Sequence, residues 1–230
     1  MELLELFLRK RNMIDKIRKI GILGGTGALG SALTKKWAIA GYEILIGSRD
    51  PVKAQKIATQ VNAELNVSNI QGLDSKTAAR ESDISVLTVP YSSHADTLNL
   101  VKEDLKGKIL IDTTVPLQKM VTKVQLPAIG SAAMEAQRIL GTEVEIVAAL
   151  QNIGSHLIDS KDTIKAEVLV TGNNKESAET VMSLLGCLGL KCWYAGGLEN
   201  SAAAEALTSV LIVINKNHKL KSSGIKITSH

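Results

Sequence analysis

The chain has 230 residues, 45% of them apolar and 22% charged, which is the balance of a folded globular protein and excludes a disordered one. Aromatic residues make up 3%, so the core has to be built from Ile, Leu, Val and Ala. The net charge of +4 gathers largely near the two ends without the interleaved aromatics of a nucleic-acid surface, so no nucleic-acid partner is expected.

In chain order, residues 1–18 read as an N-terminal extension, with Met13 an alternative first residue. Met1–Leu8 carries Glu2 and Glu5 and lacks the basic front end of a signal peptide. No apolar run reaches the roughly 18 residues of a membrane helix, so a cytoplasmic protein with no membrane partner is expected. Lys19–Leu23 is a short apolar run ending in glycines and predicts a first strand. Leu29, Leu33 and Trp37 recur at helical spacing, and Gly41 stops that helix. Tyr42–Ile46 predicts a second strand. Asp50-Pro51 supplies an N-cap and a proline at the first helical position, opening the next helix.

Further along, a weak strand is predicted at Asn66–Gln71, a helix at Ser75–Glu81 and a strongly apolar strand at Ile84–Val89. Helix Ala95–Leu105, strand Lys108–Thr113, helix Ala132–Leu140 and strand Val144–Leu150 follow. Near-continuous apolar strands alternating with helices predict an α/β protein with a Rossmann-type doubly wound parallel sheet covered on both faces. The pattern weakens but continues through strand Glu167–Val170, helix Glu176–Leu185, strand Lys191–Ala195 and the long apolar helix Ser201–Asn215. A boundary near residue 155 divides a nucleotide-binding domain, 19–155, from a smaller C-terminal α/β domain, 156–230. Two cysteines, Cys187 and Cys192, lack redox or zinc spacing and the four histidines are scattered, so no metal site is expected.

The first strand runs into Gly25-Thr26-Gly27-Ala28-Leu29-Gly30, a G-x-G-x-x-G turn that opens a helix. Gly25 would permit the tight turn, Gly27 the approach of a pyrophosphate to bare backbone, and Gly30 the close packing of helix on strand. The helix N-terminus offers free N–H groups and partial positive charge to the anion. No Gly-Lys-Ser/Thr follows, which excludes a Walker P-loop.

The end of the second strand sets the choice of dinucleotide. An NAD site places Asp or Glu there for the ribose hydroxyls; this chain has Gly47-Ser48-Arg49. Arg49 can fork onto a phosphate and Ser48 can donate to it. Lys53 falls in the first turn of the next helix, where a cation is disfavoured unless an anion sits beside it. Two charge-assisted hydrogen bonds, each about 1.5–3 kcal/mol, would favour NADP over NAD by roughly a hundredfold to a few thousandfold or more. NADP(H) is therefore the expected cofactor.

Two later strands end alike, in Thr88-Val89-Pro90 and Thr114-Val115-Pro116. Both are placed to line the crevice beyond the carboxyl ends of the strands, Val89 and Pro90 beside the nicotinamide. A third strand end reads Ala149-Leu150-Gln151-Asn152-Ile153-Gly154-Ser155-His156. No nucleophile–base pair is evident near it. Asp112 and His94 are candidates for proton transfer, each with a helix cap or structural hydrogen bond as the simpler reading. The lack of an acid–base pair suits a reaction in which the cofactors carry the chemistry and the protein positions two rings.

From Ile20 to Thr228 the chain resembles the NADPH-dependent reductases of the deazaflavin coenzyme F420, the F420H2:NADP oxidoreductases. The resemblance rests on Gly24–Gly30, Gly47-Ser48-Arg49 with Lys53, Thr88-Val89-Pro90, Gly197-Leu198-Glu199-Asn200, Ala204-Glu205-Ala206-Leu207-Thr208 and Gly224-Ile225-Lys226. It implies a homodimer, NADP held by Thr26–Leu29, Ser48, Arg49 and Lys53, and a deazaflavin–nicotinamide meeting place near Gln151, Ile153 and Ser155, with coenzyme F420 as co-substrate. The family commonly carries histidine where this chain has Gln151, and often proline where it has Ser209. Glutamine can donate a hydrogen bond but cannot carry the proton. The alternatives are an NADPH-dependent imine or carbonyl reductase, which needs a proton donor in the cleft, and a non-catalytic NADP-binding module, which turns over no acceptor.

Overall fold

A computed structural model describes residues 17–160 and 163–228. The extension, apart from its last two residues, and Met13 as an alternative start lie outside the described residues.

The first unit is β1 (Lys19–Leu23), α1 (Ala28–Ile39) and β2 (Glu43–Ser48). β1 is buried almost throughout because it lies in mid-sheet, between β2 and β4 (Ile84–Leu87). α2 (Pro51–Leu65) starts as its sequence dictates: the Asp50 carboxylate accepts from Lys53 N, and Pro51 occupies the first position. It ends at Asn66, whose φ of 53° is a left-handed cap. That cap displaces the strand expected at Asn66–Gln71: β3 is Ile70–Asp74, an edge strand entered only after the turn.

α3 (Ser75–Glu81), α4 (His94–Val101), β5 (Ile109–Asp112), α5 (Ala132–Leu140) and β6 (Glu145–Ala148) follow. α4 begins one residue earlier than expected and stops four earlier, with a 3-10 turn at Glu103–Leu105 completing the segment. A short helix, α6 (Ser155–Asp159), was missed by the sequence reading: five residues are too few to establish a helical period. The chain closes with β7 (Val168–Gly172), α7 (Lys175–Gly186), β8 (Cys192–Tyr194) and α8 (Ser201–His218).

The strands form one eight-stranded sheet in the order β3-β2-β1-β4-β5-β6-β7-β8. All neighbours pair parallel except β6 and β7, which pair antiparallel through Val147–Gly172 and Ala148–Thr171. β7 and β8 thus extend the sheet of the N-terminal part. Two buried clusters lie against it, one including Ile22, Leu33, Trp37 and Val86, the other including Leu23, Leu87, Leu98 and Leu110. Successive residues of one strand point to opposite faces, so Ile22 and Leu23 belong to different clusters and the sheet is covered on both sides. This is the Rossmann-type doubly wound architecture. Its strand order reverses between β1 and β4, and a crevice opens beyond the carboxyl ends of those two strands.

Candidate functional site

At the switch point β1 runs into the glycine turn. Gly24, with φ of 87°, takes the left-handed conformation; the sequence reading had given the turn to Gly25. A Cβ on Gly24 would stand 2.7 Å from Val89 Cγ1, and one on Gly25 3.0 Å from the Ile22 carbonyl. Gly25 therefore matters for close packing. A Cβ on Gly30 would meet Gly25 Cα at 2.6 Å and Thr88 Oγ1 at 2.8 Å, so α1 approaches the turn as near as backbone allows. Gly27 differs: its nearest neighbour would be the Gly24 carbonyl at 3.4 Å, and the residue is exposed. A bare backbone facing open space at the start of a twelve-residue helix fits a pyrophosphate.

The turn borders a cleft of about 360 Å³. Thr26 and Gly27 line it on one side; Ser48, Arg49, Asp50 and Lys53 line it on another; Thr88, Val89 and Pro90 close it from the end of β4. Gly25 and Gly30 lie buried beneath it, and Ala28 and Leu29 begin α1. Arg49 and Lys53 are exposed, and among the described residues neither forms an ion pair. Ser48 Oγ accepts from Asp50 N at 3.1 Å, which leaves its own proton to donate. Asp50 is committed to the helix cap at 3.0 Å from Lys53 N. Two cations and a hydroxyl therefore face the cleft beside a single carboxylate, Asp50, whose Oδ1 is taken by the helix cap, so positive charge is in excess, which suits a 2′-phosphate.

Ser75, Ser93 and Thr97 also line the cleft and were missed. Ser93 and Thr97 are four residues apart at the start of α4, and Thr97 Oγ1 donates to the Ser93 carbonyl at 2.7 Å. That i, i+4 spacing was the available signal. Ser75 is brought there by the pairing of Ser48 with Asp74, which only the sheet register reveals.

Gln151, Ile153 and Ser155 are not among the residues lining this cleft. They lie at the carboxyl end of β6, where Leu150 has φ of 73°, an unusual conformation for a bulky residue. The turn is held from two elements. Gln151 Nε2 donates to the Asp112 carbonyl at 2.9 Å, and the Gln151 carbonyl accepts from Thr208 Oγ1 at 2.7 Å. Gln151 is only 4% exposed, and its Oε1 is buried without a hydrogen-bond partner. The side chain thus has one free acceptor and no free charge. Ile153 is buried, and Ser155 opens α6 half-buried.

The two proton-transfer candidates meet each other. His94 Nε2 and Asp112 Oδ2 are 2.8 Å apart, both side chains fully buried. Burial pushes the imidazole pKa down, but the Asp112 hydrogen bond and the charges of Asp112, Glu135 and Glu205 outweigh it and raise the value above that of a free histidine. No water-facing donor results, in line with the structural reading of this pair. Among the described residues no group of His, Cys, Asp and Glu could hold a metal ion.

A reversed parallel sheet with a glycine turn opening the first helix defines the class of Rossmann-type dinucleotide-binding proteins. The model of the family described as NADP oxidoreductase, coenzyme F420-dependent, matches residues 19–116. The F420-dependent NADP reductase of Methanothermobacter marburgensis is 36% identical over 220 residues, 92% of this chain and 98% of that protein. That of Methanocaldococcus jannaschii is 36% identical over 221 residues, with the same coverage. The chain belongs to the F420-dependent NADP reductase family. In fold it is similar to a protein of Arthrobacter sp. FB24 provisionally assigned as an F420-dependent NADP reductase, with a TM-score of 0.79, 23% identity and coverage of 93% of this chain and all of that one. It is also similar to an imine reductase of Bacillus cereus, with a TM-score of 0.62, 17% identity and coverage of 88% of this chain and 62% of that one.

Proposed function

We propose that the protein transfers a hydride between NADP(H) and the deazaflavin coenzyme F420. The observation that carries this reading is the cleft itself: bare backbone at Gly27, then Ser48 with Arg49 and Lys53, neither of which forms an ion pair among the described residues, in a chain of this family. Bound together, the nicotinamide and the deazaflavin would supply the two ends of the hydride transfer, with the accompanying proton exchanged with water. The protein's share is to hold the two rings face to face and keep water from between them. Thr26 to Leu29 hold the pyrophosphate, Ser48, Arg49 and Lys53 the 2′-phosphate, and Val89 and Pro90 the wall beside the nicotinamide. Gln151 and Ile153 lie on the acceptor side, with Ser155 beyond them. Residues 19–155 carry the dinucleotide, and residues 156–230 complete the acceptor side.

Imine or carbonyl reduction needs a proton donor beside the ring, and the two candidates for that part, His94 and Asp112, are fully buried and paired with each other, which disfavours this alternative. Mixing the protein with NADPH and oxidised F420 and following the visible absorbance of the deazaflavin tests the proposal. Loss of the absorbance supports it; unchanged absorbance with bound NADPH overturns it and leaves the imine or carbonyl reductase and the non-catalytic reading.

The active form is a homodimer in the cytoplasm. α8 buries Ala204, Glu205, Ser209 and Leu211 but leaves Val210 44% and Ile214 36% exposed. The adjoining loop, tied to it by Ser209 Oγ on the Lys123 carbonyl at 3.3 Å, exposes Met120 and Val124. A second copy covering these groups removes them from water. Among the described residues no helix is long and apolar enough to cross a membrane.

A further inference from the structure

Asp112 makes more contacts than the end of a strand requires. Its Oδ1 accepts from Thr114 N at 2.9 Å, a local turn that by itself ends β5. Its main-chain carbonyl accepts from Ala149 N at 3.1 Å and from Gln151 Nε2 at 2.9 Å. The second carboxylate oxygen is given to His94. His94 is the first residue of α4, directly after Ser93, four residues after Pro90 and one turn before Thr97, and those three line the dinucleotide cleft. One buried hydrogen bond therefore joins the wall beside the dinucleotide to the turn that carries Gln151. The other imidazole nitrogen, Nδ1, is 3.9 Å from Glu135 Oε2 and has no hydrogen-bond partner, so Asp112 is the close anchor of the ring.

We propose that His94 and Asp112 are a positioning pair that sets the distance between the dinucleotide side and the acceptor side of the crevice. The pair touches neither reactant. It rests on the reading of the site as one where two rings must be held at a fixed separation, and there a displacement of an ångström is enough to slow the reaction strongly. The imidazole cannot move without leaving a buried carboxylate oxygen unpaired, so the two walls are locked to each other.

The test compares wild type with His94→Ala and His94→Gln, since a glutamine amide places an N–H donor near the position of Nε2. The measurements are NADPH affinity, kcat and KM with F420, and amide hydrogen exchange in the ligand-free protein. His94→Ala is expected to lower kcat about tenfold or more with NADPH affinity unchanged. Exchange accelerates in segments 112–115 and 149–153 but not in 24–30, and His94→Gln restores most of both. His94→Leu, which fills the buried site without a donor, gives the same split and stands in if His94→Ala does not fold. Wild-type turnover in the folded variant, or a loss of NADPH affinity in step with kcat, overturns the pair. If wild type passes no hydride to F420, the functional reading has failed, and amide exchange alone then decides: no linked acceleration at 149–153 overturns the tie.

Discussion

The carboxylate of Glu205 on α8 accepts the main-chain N–H of Ala132, at 2.8 Å, and of Ala133, at 3.2 Å, capping α5 from another helix. Ser201 Oγ reinforces the junction by donating to Ser131 Oγ at 2.8 Å. Burial raises the Glu205 pKa from its ordinary 4.5 to about 7, against the lowering effect of the two amide hydrogen bonds. The folded state therefore holds this proton more tightly than the unfolded one. Between those two values stability falls as pH rises, by a ceiling on the order of 3 kcal/mol. His94, also raised, acts in the same direction: its contribution is present below the unfolded value and is lost as pH rises through the folded one.

The first prediction is that urea unfolding of wild type and Glu205→Gln gives a stability difference that shifts against wild type between pH 5 and pH 8, by about 1–3 kcal/mol. The part of the His94 contribution that comes from Asp112 and Glu135 is shared by both proteins and cancels, and the part that comes from Glu205 belongs to the difference and has the same sign. A difference independent of pH shows that Glu205 does not titrate in this window.

The second concerns the 2′-phosphate. Arg49→Ala is expected to weaken NADPH by about one to two decades and to leave NADH nearly unaffected. Titration of each cofactor against protein fluorescence measures it. Equal losses for both cofactors remove Arg49 from the phosphate site.

The third separates binding from packing within one turn. Gly27→Ala adds a methyl where nothing lies nearer than 3.4 Å, so the protein folds with unchanged melting temperature and loses NADPH affinity. Gly30→Ala drives a methyl into Gly25 Cα at 2.6 Å, so melting falls first, by about 1–3 kcal/mol of stability. Identical behaviour of the two variants contradicts the cradle geometry.

The dinucleotide half of the site was legible because its chemistry is local. The glycines, Ser48, Arg49 and Lys53 fall within 29 consecutive residues, and a strand–turn–helix period frames them. The strand pattern likewise revealed the sheet, since β1, β2, β4 and β5 are buried on both faces and read as apolar runs. What stayed hidden depends on partners distant in sequence. Asp112 and His94 are 18 residues apart, and Asp112 and Gln151 are 39 apart. Glu205 reaches Ala132 across 73 residues. No period or motif announces such contacts. The left-handed Leu150 was equally invisible, because a branched apolar residue carries no turn signal. β3 was misplaced because Asn66, read as the first residue of the strand, acts as a helix cap.

The fourth prediction concerns Gln151, whose amide is spent on the Asp112 carbonyl. Gln151→Ala is expected to lower turnover by about tenfold or less, since no proton passes through it. Gln151→His keeps a donor and retains turnover. A loss of several decades in Gln151→Ala, with the fold intact by circular dichroism, would assign Gln151 a direct chemical part.

The central claim is that one hydride passes directly between two rings held in the crevice. NADPH carrying deuterium on one face of its nicotinamide, incubated with oxidised F420 and the protein, tests it most directly by mass analysis of the reduced deazaflavin. The account predicts that deuterium from one face only arrives in the deazaflavin, with none washed out to water and none arriving from the opposite face. Reduced deazaflavin free of label from either face, or no reduction at all, would contradict it.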